Sequence, residues 1–119
     1  MLVSGIERER IVKTSAGVGM LPLLSSELAS NEAVDIGYAE FTPGLRSPVE
    51  GSAAHDADEI AYVLSGSIHC VSGGRLHTVH AGEVSYIPAG EAHYSYTDEG
   101  ESCTLVYALV KTAAPSSVS

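Results

Sequence analysis

The chain has no tryptophan, one phenylalanine, two cysteines and only six lysines and arginines in 119 residues. Each scarcity excludes something. Cys70 and Cys103 are too few and too far apart for a disulfide framework or a zinc-ribbon pattern. Each lies in an alternating apolar segment. That favours buried free thiols in a reducing compartment, with a bridge between neighbouring strands as the alternative. Fifteen acidic residues against six basic ones give a net charge of −9, with no basic cluster to offset it. Nucleic acid and anionic membrane are therefore poor partners, and neither is expected. No segment approaches the roughly 18 consecutive apolar residues of a membrane span. The longest apolar stretch, Val18 to Leu24, is interrupted by Gly19 and Pro22. Met1 to Arg10 lacks the positive start and apolar middle of a signal peptide, so a cytoplasmic location is expected.

Helix signals are also scarce. Ser25 to Asn31 is the one candidate, and it is short enough to be a loop or a single turn. What is present is strand and turn. Arg10–Thr14, Val34–Thr42, Ile60–Leu64, Ser67–Val71, Leu76–Val79, Gly82–Ile87, His93–Thr97 and Thr104–Val110 read as short strands. Pro43-Gly44, Ser65-Gly66, Gly73-Gly74 and Pro88-Ala-Gly90 read as the turns between them. Eight or more short strands at this spacing predict an all-β antiparallel sandwich or barrel. At 45% hydrophobic residues the chain can bury a core, and its length suits one domain. We expect that domain over 1–112, with N-terminal strands in 1–44 and a motif-bearing part in 45–112. A flexible tail is expected over 113–119, where the chain is small, polar and proline-bearing.

The richest stretch is Gly82 to His93, G-E-V-S-Y-I-P-A-G-E-A-H. A glycine opens a strand, a Pro-Ala-Gly turn closes it, and a histidine follows three residues later. Upstream, His55, Glu59 and Gly66 stand in the pattern H-x3-E-x6-G. Alternation puts Glu59, Ala61 and Val63 on one face of their strand, and Ile68 with Cys70 on one face of the next. An inward Glu59 enters a cavity with small apolar walls. Two neutral imidazoles and one carboxylate leave coordination positions open, an arrangement used for Fe(II) and accepted by Mn, Ni, Co or Zn. His69, His77 and His80 read as surface residues.

Gly82, Pro88, Gly90 and His93 match the second cupin motif, G-x5-P-x-G-x2-H, at every position. His55, Glu59 and Gly66 match the second half of the first, H-x-H-x3-E-x6-G. The chain thus resembles the small single-domain cupins, the conserved-barrel type with an RmlC-like jelly roll. The resemblance implies a double-stranded β-helix of two antiparallel sheets and a divalent metal held by His55, Glu59 and His93. Two departures stand out: Ala53 occupies the place of the first motif histidine, and Thr97 that of the asparagine after the second motif. Glu50, Asp56, Asp58, Tyr94 and Tyr96 are candidates to replace the missing ligand.

The function implied is a metal-dependent small-molecule enzyme of isomerase, lyase or dioxygenase type, acting on a small polar, carbonyl or carboxylate substrate. A non-catalytic, metal-free binding or sensory module is the alternative. Arg46, just after the Pro43-Gly44 turn, is a candidate anchor for an anionic group. Tyr86 and Tyr96 are candidates to move a proton if their strand faces point inward. A homodimer is the expected assembly, since small cupins usually pair through sheet edges. No nucleophile elbow and no glycine-rich phosphate loop followed by a helix is present, and neither cysteine has an activating context.

Overall fold

Short apolar runs separated by glycine turns leave the backbone little choice but to pair between strands. The computed structural model describes residues 1–111, so the tail expected over 113–119 lies outside the described residues. Nine strands form in chain order: β1 (Val12–Lys13), β2 (Gly19–Leu24), β3 (Val34–Phe41), β4 (Arg46–Ser47), β5 (Asp58–Ser72), β6 (Arg75–His80), β7 (Val84–Ile87), β8 (His93–Tyr96) and β9 (Cys103–Val110). The only helical element among the described residues is one 3-10 turn at Arg8–Arg10. Ser25–Asn31 is a turn, as expected, with the N–H groups of Leu28 and Ala29 both bonded to Ser25 O. No helix of the described residues is long and apolar enough to cross a membrane.

All pairings are antiparallel. One sheet has the order β1-β2-β3-β9-β5-β7 and the other β4-β8-β5-β6. This is the jelly-roll barrel the motifs imply, with a core of Val18, Phe41, Val63, Ile68, Cys103 and Leu105 between the sheets.

The two sheets share β5, and here the structure corrects the sequence reading. Ser65-Gly66 does not end a strand. It is a bulge inside one 15-residue strand, where the pairing with β9 shifts between Val63 and Ser65. The extra residue inverts the alternation. Glu59, Ala61 and Val63 face inward before it, and Ile68 and Cys70 face inward after it. Gly66 is required there. Its φ is +74°, and a Cβ would stand 1.8 Å from the carbonyl oxygen of Ser102. The turn between β6 and β7 stitches onto the bulge through Gly82 N–H to Val63 O at 2.8 Å and Ala81 N–H to Gly66 O at 3.0 Å.

Two further elements differ from expectation. Val18–Leu24 is not merely an apolar stretch; β2 runs through Pro22, which sits at an irregularity in the β2–β3 register. A proline has no N–H to give the ladder, so a bulge is where a strand tolerates one. The two-residue β4 pairs with β8 and was not foreseen.

Candidate metal centre

His55, Glu59 and His93 come from different parts of the chain, and backbone bonds bring them together. The Pro88–Glu91 turn is closed by Glu91 N–H to Pro88 O at 3.1 Å, with Gly90 at φ +84°. That turn docks on the segment carrying the first two residues. Gly90 N–H donates to His55 O at 2.7 Å, and Ala89 N–H donates to Asp58 Oδ1 at 2.9 Å. The two sequence motifs are thus hydrogen-bonded to each other, which holds His55 and Glu59 near the hairpin that carries His93.

One donor atom from each of the three residues lies within 4.8 Å of the others. His55 Nε2 is 3.7 Å from Glu59 Oε1, and His93 Nε2 is 4.0 Å from Glu59 Oε2. The two imidazole centroids are 5.2 Å apart. Adjacent donors on one ion at bonds of about 2.1 Å stand roughly 3 to 3.4 Å apart, so the donor atoms would have to draw in by several tenths of an ångström to a little over 1 Å. His93 is prepared for that role. Its Nδ1 lies 3.1 Å from Glu91 O, and a carbonyl only accepts, so Nδ1 carries a proton and the neutral ring presents its Nε2 lone pair on the side of Glu59. The His93 side chain is 8% exposed and that of His55 40%, which gives the cluster a buried side and an open side. The donor set, two imidazoles and a carboxylate, fits a divalent transition metal.

The cluster lies on the wall of a cavity of about 300 Å³. Apolar side chains from both sheets make most of the remaining wall, among them Met20, Phe41, Ala61, Ile68, Leu105 and Leu109. None of the six lysines and arginines lines it. Ala53 does line it, and it pairs with His93 through an isolated antiparallel bridge.

The other expected site residues fall elsewhere. Tyr86 is 59% exposed on the outer side of β7; its neighbours Ser85 and Ile87 face the cavity instead. Tyr96 also points away from the cavity, with its ring centroid 4.9 Å from that of His69 and 6.3 Å from that of Tyr94. Arg46 donates to Pro48 O at 2.7 Å and Gly51 O at 2.9 Å and lies 3.9 Å over the Tyr94 ring. Its guanidinium orders the loop leading to His55 and does not reach inward. Asp58 is occupied with Ala89 N–H, and neither Glu50 nor Asp56 joins the cluster. Thr97, in place of the asparagine, fastens the Thr42–Leu45 turn. Its hydroxyl donates to Thr42 O at 2.8 Å and accepts from Leu45 N–H at 3.1 Å. Cys70 and Cys103 are both free and buried.

The tyrosine that does line the cavity is Tyr107 on β9, which the sequence reading did not single out. It lies opposite Gly37, where a Cβ would come 2.4 Å from the phenol oxygen. Burial raises its pKa first, and the Glu59 and Asp35 carboxylates add to the rise. The signal was the shared face of Leu105, Tyr107 and Leu109. It was hidden because Val106, Ala108 and Val110 make the opposite face apolar too.

Residues 37–109 match the family described as the cupin domain. With that match and both motifs in place, the chain belongs to the cupin family. Solved structures agree on the fold. The polyketide cyclase RemF from Streptomyces resistomycificus is 21% identical, covers 96% of this chain and 83% of its own, and superposes with a TM-score of 0.74. A cupin 2 conserved barrel domain protein from Salinispora arenicola is 21% identical over 92% of this chain and 88% of its own, with a TM-score of 0.74. A predicted oxalate decarboxylase from Thermotoga maritima is 23% identical over 94% and 100%, with a TM-score of 0.73. No curated protein matches the chain.

Proposed function

We propose that this cupin is a metal-dependent enzyme acting on a small carbonyl compound inside its barrel. One juxtaposition carries the reading: His55, Glu59 and His93 converge on the wall of an apolar cavity, with Nε2 of His93 turned toward Glu59. A divalent ion held there, whether iron, manganese, nickel, cobalt or zinc, supplies Lewis acidity toward a carbonyl or enol oxygen. The chain's own residues do the rest. Glu59 offers one carboxylate oxygen toward each imidazole. Tyr107 keeps its proton at neutral pH, because burial disfavours the phenolate, and can lend it to a substrate oxygen. The apolar walls exclude water from the reacting group. Isomerase, lyase and dioxygenase chemistry all fit this arrangement, and a polyketide cyclase of the same fold supports an enzymatic reading.

Metal analysis tests it. Protein stripped with a chelator and returned to excess zinc is expected to retain one ion per chain. His93→Ala and Glu59→Gln are expected to retain well under half. Retention unchanged in both variants overturns the reading. Ala53 favours a second reading, a metal-free binding module, because it removes a donor from the cavity wall. That module would bind small molecules equally well with and without metal.

The partner we propose is a second copy of the chain. Tyr62 and Val84, and beside them Ile60 and Tyr86, form two cross-strand apolar pairs exposed on the outer face of β5 and β7. Pairing of two copies would cover them. Sedimentation at micromolar concentration reads this directly.

A further inference from the structure

The proposed site says what could be held at the metal; the rest of the cavity says what shape and charge of molecule it accepts. Glu59 is the only acidic side chain on its wall, and no cationic side chain accompanies it. Arg46, the one basic residue near the loop that leads to the site, has two of its donors on Pro48 and Gly51 carbonyls. A divalent ion beside one carboxylate and two neutral imidazoles leaves a single unbalanced positive charge. One negative charge on a ligand is balanced there. A second would meet apolar side chains such as Ala61, Phe41, Leu105 and Leu109 and the neutral hydroxyls of Ser47, Ser85, Ser95 and Tyr107, with no cation to balance it, and a charge left without a counter-charge in such surroundings is costly. The chain's net charge of −9 repels a dianion on approach as well. At about 300 Å³ the cavity is at the small end of ligand pockets.

We propose that the cavity selects compact apolar carbonyl compounds carrying at most one negative charge and rejects dicarboxylates and phosphates. The inference rests on the reading of this cavity as the substrate site. It narrows that reading, because it removes substrates with a second anionic group, for which Arg46 was the candidate anchor. A 1,3-diketone enters as the neutral enol or as the enolate. In the second case its O–H bond breaks and the proton leaves to buffer, so no other reactant is needed.

A matched pair of probes decides it. 1-Phenylbutane-1,3-dione and phenylmalonate share a phenyl group and the spacing of their oxygens, and differ in charge. Each is titrated calorimetrically into zinc-loaded and zinc-free protein at neutral pH, with zinc content measured alongside. The dione is expected to bind zinc-loaded protein at least about tenfold more tightly than phenylmalonate. Leu109→Arg, which adds a cation to a half-buried wall position, is expected to shrink or reverse that preference. If this variant does not fold, the wild-type pair still decides. Zinc bound one per chain with no preference for the dione overturns the inference and leaves the metal reading standing. No zinc bound but a tenfold preference retained overturns the metal reading and supports the inference. Neither probe binding in either form overturns the inference.

Discussion

Ala53 and His93 exchange both of their backbone hydrogen bonds, each at 2.8 Å. Directly opposed residues of an antiparallel pair carry their Cβ atoms on the same side of the sheet, about 5 Å apart. The Ala53 methyl therefore lines the cavity beside the His93 imidazole, where the first cupin motif would place another histidine. The backbone at position 53 stands where a side chain can face the cluster, and among the described residues no further His, Cys, Asp or Glu joins His55, Glu59 and His93.

It follows that Ala53→His should restore a fourth donor. Zinc or nickel affinity, measured by competition with a coloured chelator, is expected to rise by about tenfold or more. An unchanged affinity would mean that side chains at position 53 do not reach the cluster.

Gly66 should be the least replaceable glycine. Gly66→Ala places a Cβ 1.8 Å from the Ser102 carbonyl oxygen in a residue at φ +74°, so two strands must part. We expect a loss of about 3 kcal/mol or more in urea unfolding. Gly51→Ala has a similar φ of +71° but nothing within 4 Å, and is expected to cost about 1 to 2 kcal/mol. Equal costs at the two positions would contradict the role of the bulge.

Gly37 and Tyr107 should be coupled. A Cβ at Gly37 would meet the Tyr107 phenol oxygen at 2.4 Å, so Gly37→Ala must push the ring aside. The expected cost is about 1 to 3 kcal/mol in the natural chain. In a Tyr107→Leu background it should be smaller by about 1 kcal/mol or more, which a double-mutant cycle in urea measures. Strict additivity would show that the ring does not rest on Gly37.

Alkali should destabilise the fold through its thiols. Burial pushes the Cys103 thiol up from 9.0 to about 11, and burial raises Cys70 as well. Between those values the unfolded chain releases protons that the folded chain keeps. The stability from these groups is therefore intact below pH 9 and declines as pH rises toward about 11. Denaturant midpoints measured at about pH 8 and about pH 10.5 should fall, and Cys103→Ala should flatten the fall. A midpoint that rises with pH would contradict the burial of Cys103.

Much of this protein was legible before folding because glycine, proline and histidine punctuate it. The Gly82–His93 stretch named its turn, its strand and the histidine that joins the cluster, and Glu59, Ala61 and Val63 were placed on one face correctly. Three things were hidden, each for a physical reason. A bulge adds one residue without leaving a mark in composition, so β5 read as two strands. Pro22 disguised β2. Tyr107 and Tyr86 exchanged places because both faces of β7 and β9 carry apolar residues: Ile87, Leu105 and Leu109 line the cavity, while Val84 and Tyr86 lie exposed on the outer side of β7. Where both faces are apolar, alternation carries no sign.

The central claim is that His55, Glu59 and His93 hold one ion together. Anomalous diffraction from crystals of zinc-loaded protein tests it most directly. The account predicts a single strong peak bonded to the Nε2 atoms of both histidines and to the Glu59 carboxylate, absent from His93→Ala crystals grown in the same zinc. No peak within the barrel at saturating zinc, or a peak that persists without the His93 imidazole, would contradict it.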